Sequence, residues 1–110
     1  MTETQFHKAV VSYLSILKLR CLWFHVPNTH SGGVRWGAKL KSMGLRAGVA
    51  DLVFFLPGGR AVCMELKTPK GRLSDRQKEF RESCADLGVG YVVCRSMEDV
   101  EEALRGWKLI

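Results

Sequence analysis

The fold is decided by residues 51–67, which read DLVFFLPGGRAVCMELK. An apolar run over residues 52–56 is followed by the turn-forming cluster Pro57-Gly58-Gly59 and by a second run over residues 61–67. This pattern predicts a β-hairpin, because turn residues join two segments rich in strand formers. The second run alternates between two faces. One face carries Val62, Met64 and Leu66, and the other carries Ala61, Cys63, Glu65 and Lys67.

Two carboxylates and an ammonium group are expected at one end of this hairpin, since Asp51 opens it and Glu65 and Lys67 close it. Acidic side chains on adjacent strands suit a hard divalent cation, Mg²⁺ with Mn²⁺ as a substitute. A neighbouring lysine can contact a bound water or a phosphate oxygen. Metal and lysine together favour attack of water on a phosphodiester, whose transition state gathers negative charge. From spacing alone, a surface salt bridge explains the three residues equally well.

The pairing register of the hairpin separates these interpretations. A two-residue turn at Gly58-Gly59 would place Asp51 opposite Leu66, so that Asp51 points away from Glu65. A three-residue loop places Asp51 opposite Glu65 or Lys67, with the Cβ atoms about 4.5–5.5 Å apart. Such loops commonly hold a glycine in the left-handed region. A catalytic role therefore requires an odd loop or a bulge.

The remaining elements follow the order α-β-α-β-β-α-β-α. Apolar spacing predicts a helix over residues 3–19, a strand over 21–26, a basic helix over 35–43, a strand over 91–94 and two capped helices that follow Ser74 and Ser96. In the helix after Ser74, the apolar stripe is Phe80, Cys84 and Leu87. This order predicts one α/β domain spanning residues 1–110, with the wholly apolar strand 52–56 at its centre.

Composition indicates a polyanionic partner and a cytoplasmic location. The formal net charge is +6 and the isoelectric point is about 9.4, as in proteins that bind nucleic acid. The four cysteines show no CxxC pairing, so we expect reduced thiols. No apolar run approaches the roughly 18 residues of a membrane span, and the N-terminus lacks the regions of a signal peptide. We expect a protein without membrane contact.

An ordered set of residues resembles the VRR-NUC (virus-type replication-repair nuclease) domain of the PD-(D/E)xK nuclease superfamily. The set comprises Gly48-Val49-Ala50-Asp51-Leu52, Glu65-Leu66-Lys67 and Gln77 in a capped helix, together with Glu3, Pro27-Asn28 and residues 41–46. The resemblance implies a restriction-endonuclease-like core, with a mixed four-stranded sheet and flanking helices. Ala50 stands where the family usually has proline, which would only restrict the backbone.

The resemblance also implies roles for the residues of the hairpin. Asp51, Glu65 and the backbone carbonyl of Leu66 would be metal ligands, and Lys67 would position or activate the attacking water. For Gln77 and Glu3, a structural role explains the residue as well as a role in the site does. Gln77 would orient Lys67 or a phosphate, although a capping box explains it equally well. Glu3 would join the metal shell, or it is a solvated acid at a helix start.

The candidate DNA contacts are mostly basic. The segment between Arg35 and Arg46 has four bases and no acid, which favours phosphate contact over a merely solvated helix face. His7 on the first helix is expected to be a partly exposed surface residue rather than a ligand. Trp23, Trp36 and Trp107 are expected in core or subunit-interface packing rather than stacked on bases. The full set of candidate contacts is Asn28, His30, Arg35, Lys39, Lys41, Arg46, Lys70 and Arg72.

The expected function is a Mg²⁺- or Mn²⁺-dependent DNA endonuclease. The resemblance implies a homodimer acting in DNA repair on branched DNA such as four-way (Holliday) junctions. Two cuts resolve a junction, so a two-fold dimer would supply the second site, and Trp107, Leu109 and Ile110 could form apolar interface. The alternatives are a restriction-type enzyme, a single-strand or flap nuclease, and a non-catalytic DNA-binding module with a vestigial site.

Overall fold

The computed structural model describes residues 1–27 and 33–110, and the elements follow the predicted order. The helices and strands are α1 (Glu3–Leu17), β1 (Leu22–His25), α2 (Gly33–Ser42), β2 (Leu52–Phe55), β3 (Ala61–Leu66), α3 (Asp75–Leu87), β4 (Gly90–Cys94) and α4 (Met97–Gly106). No helix in these ranges is long and apolar enough to cross a membrane.

The four strands form one mixed sheet in the order β1-β2-β3-β4. The pairs β1–β2 and β2–β3 are antiparallel, whereas β4 runs parallel to β3. Helix α3 makes the crossover that a parallel pair requires. The expected α/β class and the central position of β2 are confirmed.

The hairpin between β2 and β3 has the odd register that a catalytic role requires. Leu52 pairs with Met64 and Phe54 with Val62, so the next position along this register sets Asp51 opposite Glu65. Pro57–Gly59 forms the three-residue loop, in which Gly58 has φ 83° and Gly59 has φ 82°. Both glycines occupy the left-handed region that other residues avoid. The predicted loop is confirmed.

The sheet is covered by α1 and α4 on one face and by α3 on the other. The larger core joins Phe6, Val10 and Leu14 of α1 and Val100 and Leu104 of α4 to the sheet residues Leu52, Phe54, Leu56, Val62, Met64, Leu66 and Cys94. The smaller core, under α3, joins Ala50, Cys63 and Cys84. The alternation in β3 therefore sends Cys63 and Glu65 towards α3, as the sequence predicts.

Several apolar residues lie elsewhere than expected. Leu87, the last residue of α3, is 79% exposed and does not belong to the packed stripe of that helix. Trp107 and Leu109 pack against the larger core, so the expected interface at the C-terminus keeps only Ile110 as an exposed residue. Trp23 also packs on this core, whereas Trp36 is exposed on α2.

Candidate active site

Asp51, Glu65 and Lys67 lie together at the open end of the hairpin, where β2 begins and β3 ends. Glu65 is 1% exposed and Lys67 is 9% exposed. Asp51 accepts a hydrogen bond through Oδ2 from the backbone N–H of Leu66, at 2.7 Å. Neither ion pair formed among the described residues, Arg76–Glu79 and Arg105–Glu101, involves Lys67. A surface salt bridge is therefore the wrong interpretation, because this cluster is not on a solvated face.

Glu65 has a carboxylate oxygen that lacks a protein partner. Its Oε2 is buried and accepts no hydrogen bond within the described part of the chain. Burial, followed by the nearby Asp51 carboxylate, raises the pKa of Glu65 to about 8, and the Lys67 ammonium opposes this rise. Two adjacent carboxylates cannot both ionise cheaply without a cation between them. The oxygen donors and the orphaned atom fit a hard divalent ion.

Gln77 connects Glu65 to the start of α3. Its backbone N–H donates to Ser74 Oγ at 3.2 Å, and its Oε1 accepts from the Ser74 N–H at 2.8 Å, which closes a capping box. Its remaining amide group, Nε2, donates to Glu65 Oε1 at 2.9 Å. The capping box expected for Gln77 is therefore present, and the same side chain also reaches the site. The side chain that it contacts in the site is Glu65, rather than Lys67.

Gly48 allows the loop before Asp51 to lie directly on α3. Its φ of +84° is in the left-handed region, and a Cβ added there would lie 2.4 Å from the carbonyl carbon of Arg76. Ala50, two residues later, is fully buried in the smaller core. This close approach fixes Asp51 relative to Gln77, because any larger residue at position 48 would push the two segments apart.

Two histidines extend the site towards α1. His7 and His25 have ring centroids 4.5 Å apart at 89°, and a groove beside them is also lined by Glu3 and Asp51. His7 is half-buried, in agreement with the partly exposed position expected. Burial, then the neighbouring His25, lowers the pKa of His7, while the Asp51 and Glu3 carboxylates oppose this effect. His7, His25 and Asp51 form a possible metal-binding group.

His25 was not predicted as a site residue, although its position in the chain offered a signal. In an antiparallel pair the end of one strand meets the start of the next. His25 ends β1 and pairs with Leu52 at the start of β2, so it adjoins Asp51. Glu3 stands exposed at the first turn of α1 and lines the same groove. The structure brings both near Asp51.

The VRR-NUC domain model matches residues 21–98, which is more than half of the chain. The chain belongs to the VRR-NUC family. A solved structure described as "VRR_NUC domain protein" is 24% identical, with a TM-score of 0.80 over 99% of this chain and 90% of that one. Another, described as "VRR_NUC domain", is 19% identical, with a TM-score of 0.62 over 96% of this chain and 97% of that one. At these identities the likeness shows the fold. No curated protein matches.

Membership of the VRR-NUC family implies a nuclease of the PD-(D/E)xK type, and hence a nucleic-acid substrate. Nucleases of this family usually depend on a divalent metal. The site of this VRR-NUC domain has the burial and the oxygen donors that such a metal needs. Its metal and its preferred DNA structure are matters for proposal.

The basic residues of the VRR-NUC domain lie on exposed surfaces around the site. Arg35, Lys39 and Lys41 project from α2, where Lys39 Nζ lies 5.4 Å from the centroid of the Trp36 ring. Lys41 and Arg46 line a groove at the start of α3. Lys70 and Arg72 are exposed in the loop between β3 and α3. Asn28 and His30 lie outside the described residues.

Arg95 fixes the loop that carries Lys70, a role that the sequence analysis missed. Its Nη1 donates to the carbonyl oxygens of Thr68 at 2.9 Å and Gly71 at 2.5 Å. Its backbone N–H donates to Asp99 Oδ2 at 2.8 Å. The topology could have indicated this, because the carboxyl ends of the parallel strands β3 and β4 meet at one edge, and Arg95 directly follows β4.

Proposed function

We propose that this VRR-NUC domain is a Mg²⁺-dependent DNA endonuclease, able to use Mn²⁺, that hydrolyses phosphodiester bonds. The observation that supports this proposal is the orphaned, buried Oε2 of Glu65 next to Asp51. A buried negative charge costs several kcal/mol unless a cation or a proton compensates it. Natural proteins keep such groups mainly where chemistry requires them.

In the proposed mechanism, Asp51, Glu65 and the Leu66 carbonyl would hold the ion, with Glu3 as a further donor from α1. When bound there, the ion would neutralise charge that develops on the phosphate. Lys67 orients the attacking water through a hydrogen bond. Gln77 prevents Glu65 from rotating, because one of its oxygens is already bound at 2.9 Å. Precise placement of such groups accounts for much of the rate of phosphodiester hydrolysis.

The proposed substrate is branched DNA, in particular a four-way junction, bound through the exposed basic residues of α2, Arg46 and the loop after β3. Their phosphate contacts would position the backbone without reading sequence. All of these described basic side chains are exposed, so they are available to phosphates. We further propose that the protein acts in DNA repair. We also propose that residues 1–110 act as a single domain.

The proposed homodimer would supply the second cut. An apolar patch on β1 and β2 supports it, since Leu22, Phe24 and Phe55 are 61%, 39% and 46% exposed, with the two phenylalanine rings 5.6 Å apart. Strand β1 is also an edge strand of the sheet, and exposed apolar edges favour association. Light scattering tests this directly: Phe24→Ser is expected to shift a dimer to monomer, and a wild-type monomer at all concentrations would contradict it.

The decisive experiment compares cleavage of four-way, flapped and linear DNA in Mg²⁺ by the wild type, Lys67→Ala and the matched control Lys78→Ala. Loss of Lys67 is expected to lower the rate by about 10²–10⁴-fold, the usual contribution of a positioned proton-transfer group. Lys78, exposed on α3, is expected to have no such effect. Equal rates for wild type and Lys67→Ala would refute the assigned role.

Calorimetry separates this proposal from a non-catalytic DNA-binding module. The wild type is expected to bind Mg²⁺, and Glu65→Ala is expected to lose that binding while the fold persists. If the wild type binds DNA but no divalent cation, the site is vestigial. Preference for flapped or linear DNA in the cleavage assay would instead favour a flap, single-strand or restriction-type enzyme.

A further inference from the structure

We propose that His7, His25 and Asp51 form a second cation position, which selects an ion that favours imidazole ligands, such as Zn²⁺ or Co²⁺, and shares Asp51 with the Mg²⁺ position at Glu65. The inference rests on the proposed nuclease function for the Mg²⁺ position alone. The position formed by His7, His25 and Asp51, hereafter the histidine position, depends only on geometry and donor chemistry. It can be tested without any cleavage assay.

The three side chains already lie close to a coordination geometry. One ring nitrogen of each histidine and one carboxylate oxygen of Asp51 lie within 4.8 Å of one another. Around an ion with bonds of about 2.0–2.2 Å, neighbouring tetrahedral ligand atoms are about 3.3–3.6 Å apart. Side-chain rotation of His7 on α1 and of His25 at the end of β1 would draw the three atoms to that separation.

The hydrogen bonding of His25 prepares it as a ligand. Its Nδ1 lies 2.7 Å from the backbone carbonyl oxygen of Asp51. A carbonyl oxygen can only accept, so Nδ1 carries the hydrogen and the lone pair of the neutral ring is on Nε2. Metal-binding histidines usually have this arrangement, in which one ring N–H donates to a carbonyl or carboxylate and the other nitrogen binds the ion.

Asp51 is fixed between the two positions. Its Oδ2 accepts from the Leu66 N–H at 2.7 Å, which holds the carboxylate at the end of β3 beside Glu65. Its carboxylate also reaches the two imidazoles. Enzymes with two cations commonly hold them about 3.5–4 Å apart across a shared carboxylate. The position of Asp51 matches such a bridging role.

The donor atoms of the two positions favour different metal ions. Imidazole nitrogen suits zinc, cobalt, nickel and copper, whereas Mg²⁺ prefers oxygen and retains much of its water. The Glu65 position offers oxygen donors, and the histidine position offers two nitrogens and one oxygen. Three protein ligands leave a coordination place for water or a phosphate oxygen. Glu3 lines the same groove and is available as a fourth donor.

The test is Zn²⁺ calorimetry, together with visible absorption of Co²⁺, in excess Mg²⁺ and without DNA. All proteins carry Cys21→Ser, which removes the one cysteine that is not buried. One equivalent of Zn²⁺ is expected to bind the parent protein and Glu65→Gln alike. Removing an outer partner of a ligand already costs about 10–100-fold in affinity, so His7→Gln and His25→Gln are each expected to weaken Zn²⁺ binding at least tenfold.

The outcomes distinguish this inference from the proposed function. Equal Zn²⁺ affinity in the parent, His7→Gln and His25→Gln, with the fold confirmed by circular dichroism, would overturn the histidine position even if Mg²⁺-dependent cleavage is observed. Histidine-dependent Zn²⁺ binding in a protein that cleaves no DNA would support the position and defeat the nuclease proposal. Loss of Zn²⁺ binding in Glu65→Gln would also overturn it, because the two positions would then be one.

Discussion

Glu65→Gln is expected to make the metal-free protein more stable at alkaline pH while abolishing its activity. Glutamine has nearly the same shape as glutamate, and its Oε1 can still accept the hydrogen bond from Gln77 that spans 2.9 Å in the wild type. Its amide can donate towards the Asp51 carboxylate, where the wild type places a second negative charge. The substitution thus removes the repulsion and the desolvated charge without leaving a cavity.

The magnitude follows from the pKa of Glu65, which rises from 4.5 to about 8 on folding. Between these values the folded protein keeps a proton that the unfolded chain has released, so the free energy of unfolding decreases as the pH rises. At about 1.4 kcal/mol per pH unit, the full effect is on the order of 5 kcal/mol. This contribution is present below pH 4.5 and is lost as the pH approaches 8.

Urea denaturation in EDTA, at several values between about pH 5 and pH 9, measures this effect for wild type and variant. Glu65→Gln is expected to exceed the wild type by about 3–5 kcal/mol at the alkaline end and to differ little at the acidic end. Glu82→Gln, at an exposed site on α3, is the control for general charge effects. Added Mg²⁺ is expected to restore stability only to the wild type. Parallel pH curves for the two proteins would refute the reasoning.

Two further predictions concern the supports of the site. Gly48→Ala is expected to lower the free energy of unfolding, measured by urea denaturation, by about 2–4 kcal/mol. The left-handed backbone at this position and a clash with α3 both contribute to this loss. Gly44→Ala, which has φ +100° but nothing within 4 Å, is expected to cost only about 1 kcal/mol, and equal costs would show the contact to be unimportant. Arg95→Met is expected to speed hydrogen exchange in residues 68–71 roughly tenfold and to weaken DNA binding. Arg105→Met, at an exposed ion pair on α4, is the control, and a matching effect there would argue against a specific role for Arg95.

The sequence was sufficient for the fold because its local signals agree with one another. The alternation of residues 61–67 identified the buried and active faces of β3, and the Ser74 and Ser96 caps located the helices. The register of the hairpin followed from geometry: only an odd loop brings Asp51 to Glu65, and Pro57-Gly58-Gly59 forms one.

The contacts that escaped prediction join residues far apart in the chain. His25 meets Asp51 across 26 positions, and Arg95 meets Gly71 across 24. Neither pair has a local pattern, since each depends on which strands become neighbours. Exposure at element ends was also misjudged, as at Leu87, because periodicity indicates which face a residue occupies and not how far the sheet extends beneath it.

The double attachment of Gln77 links the opening of a helix to the occupancy of a cation. One side chain closes the first turn of α3 and holds Glu65, so fraying of that turn and release of the carboxylate are a single event. Coupling of this kind is reciprocal. A cation bound at the proposed site is therefore expected to slow hydrogen exchange at the first amides of α3. A weakened cap lowers cation affinity by the same free energy, at most about 1 kcal/mol for Ser74→Ala.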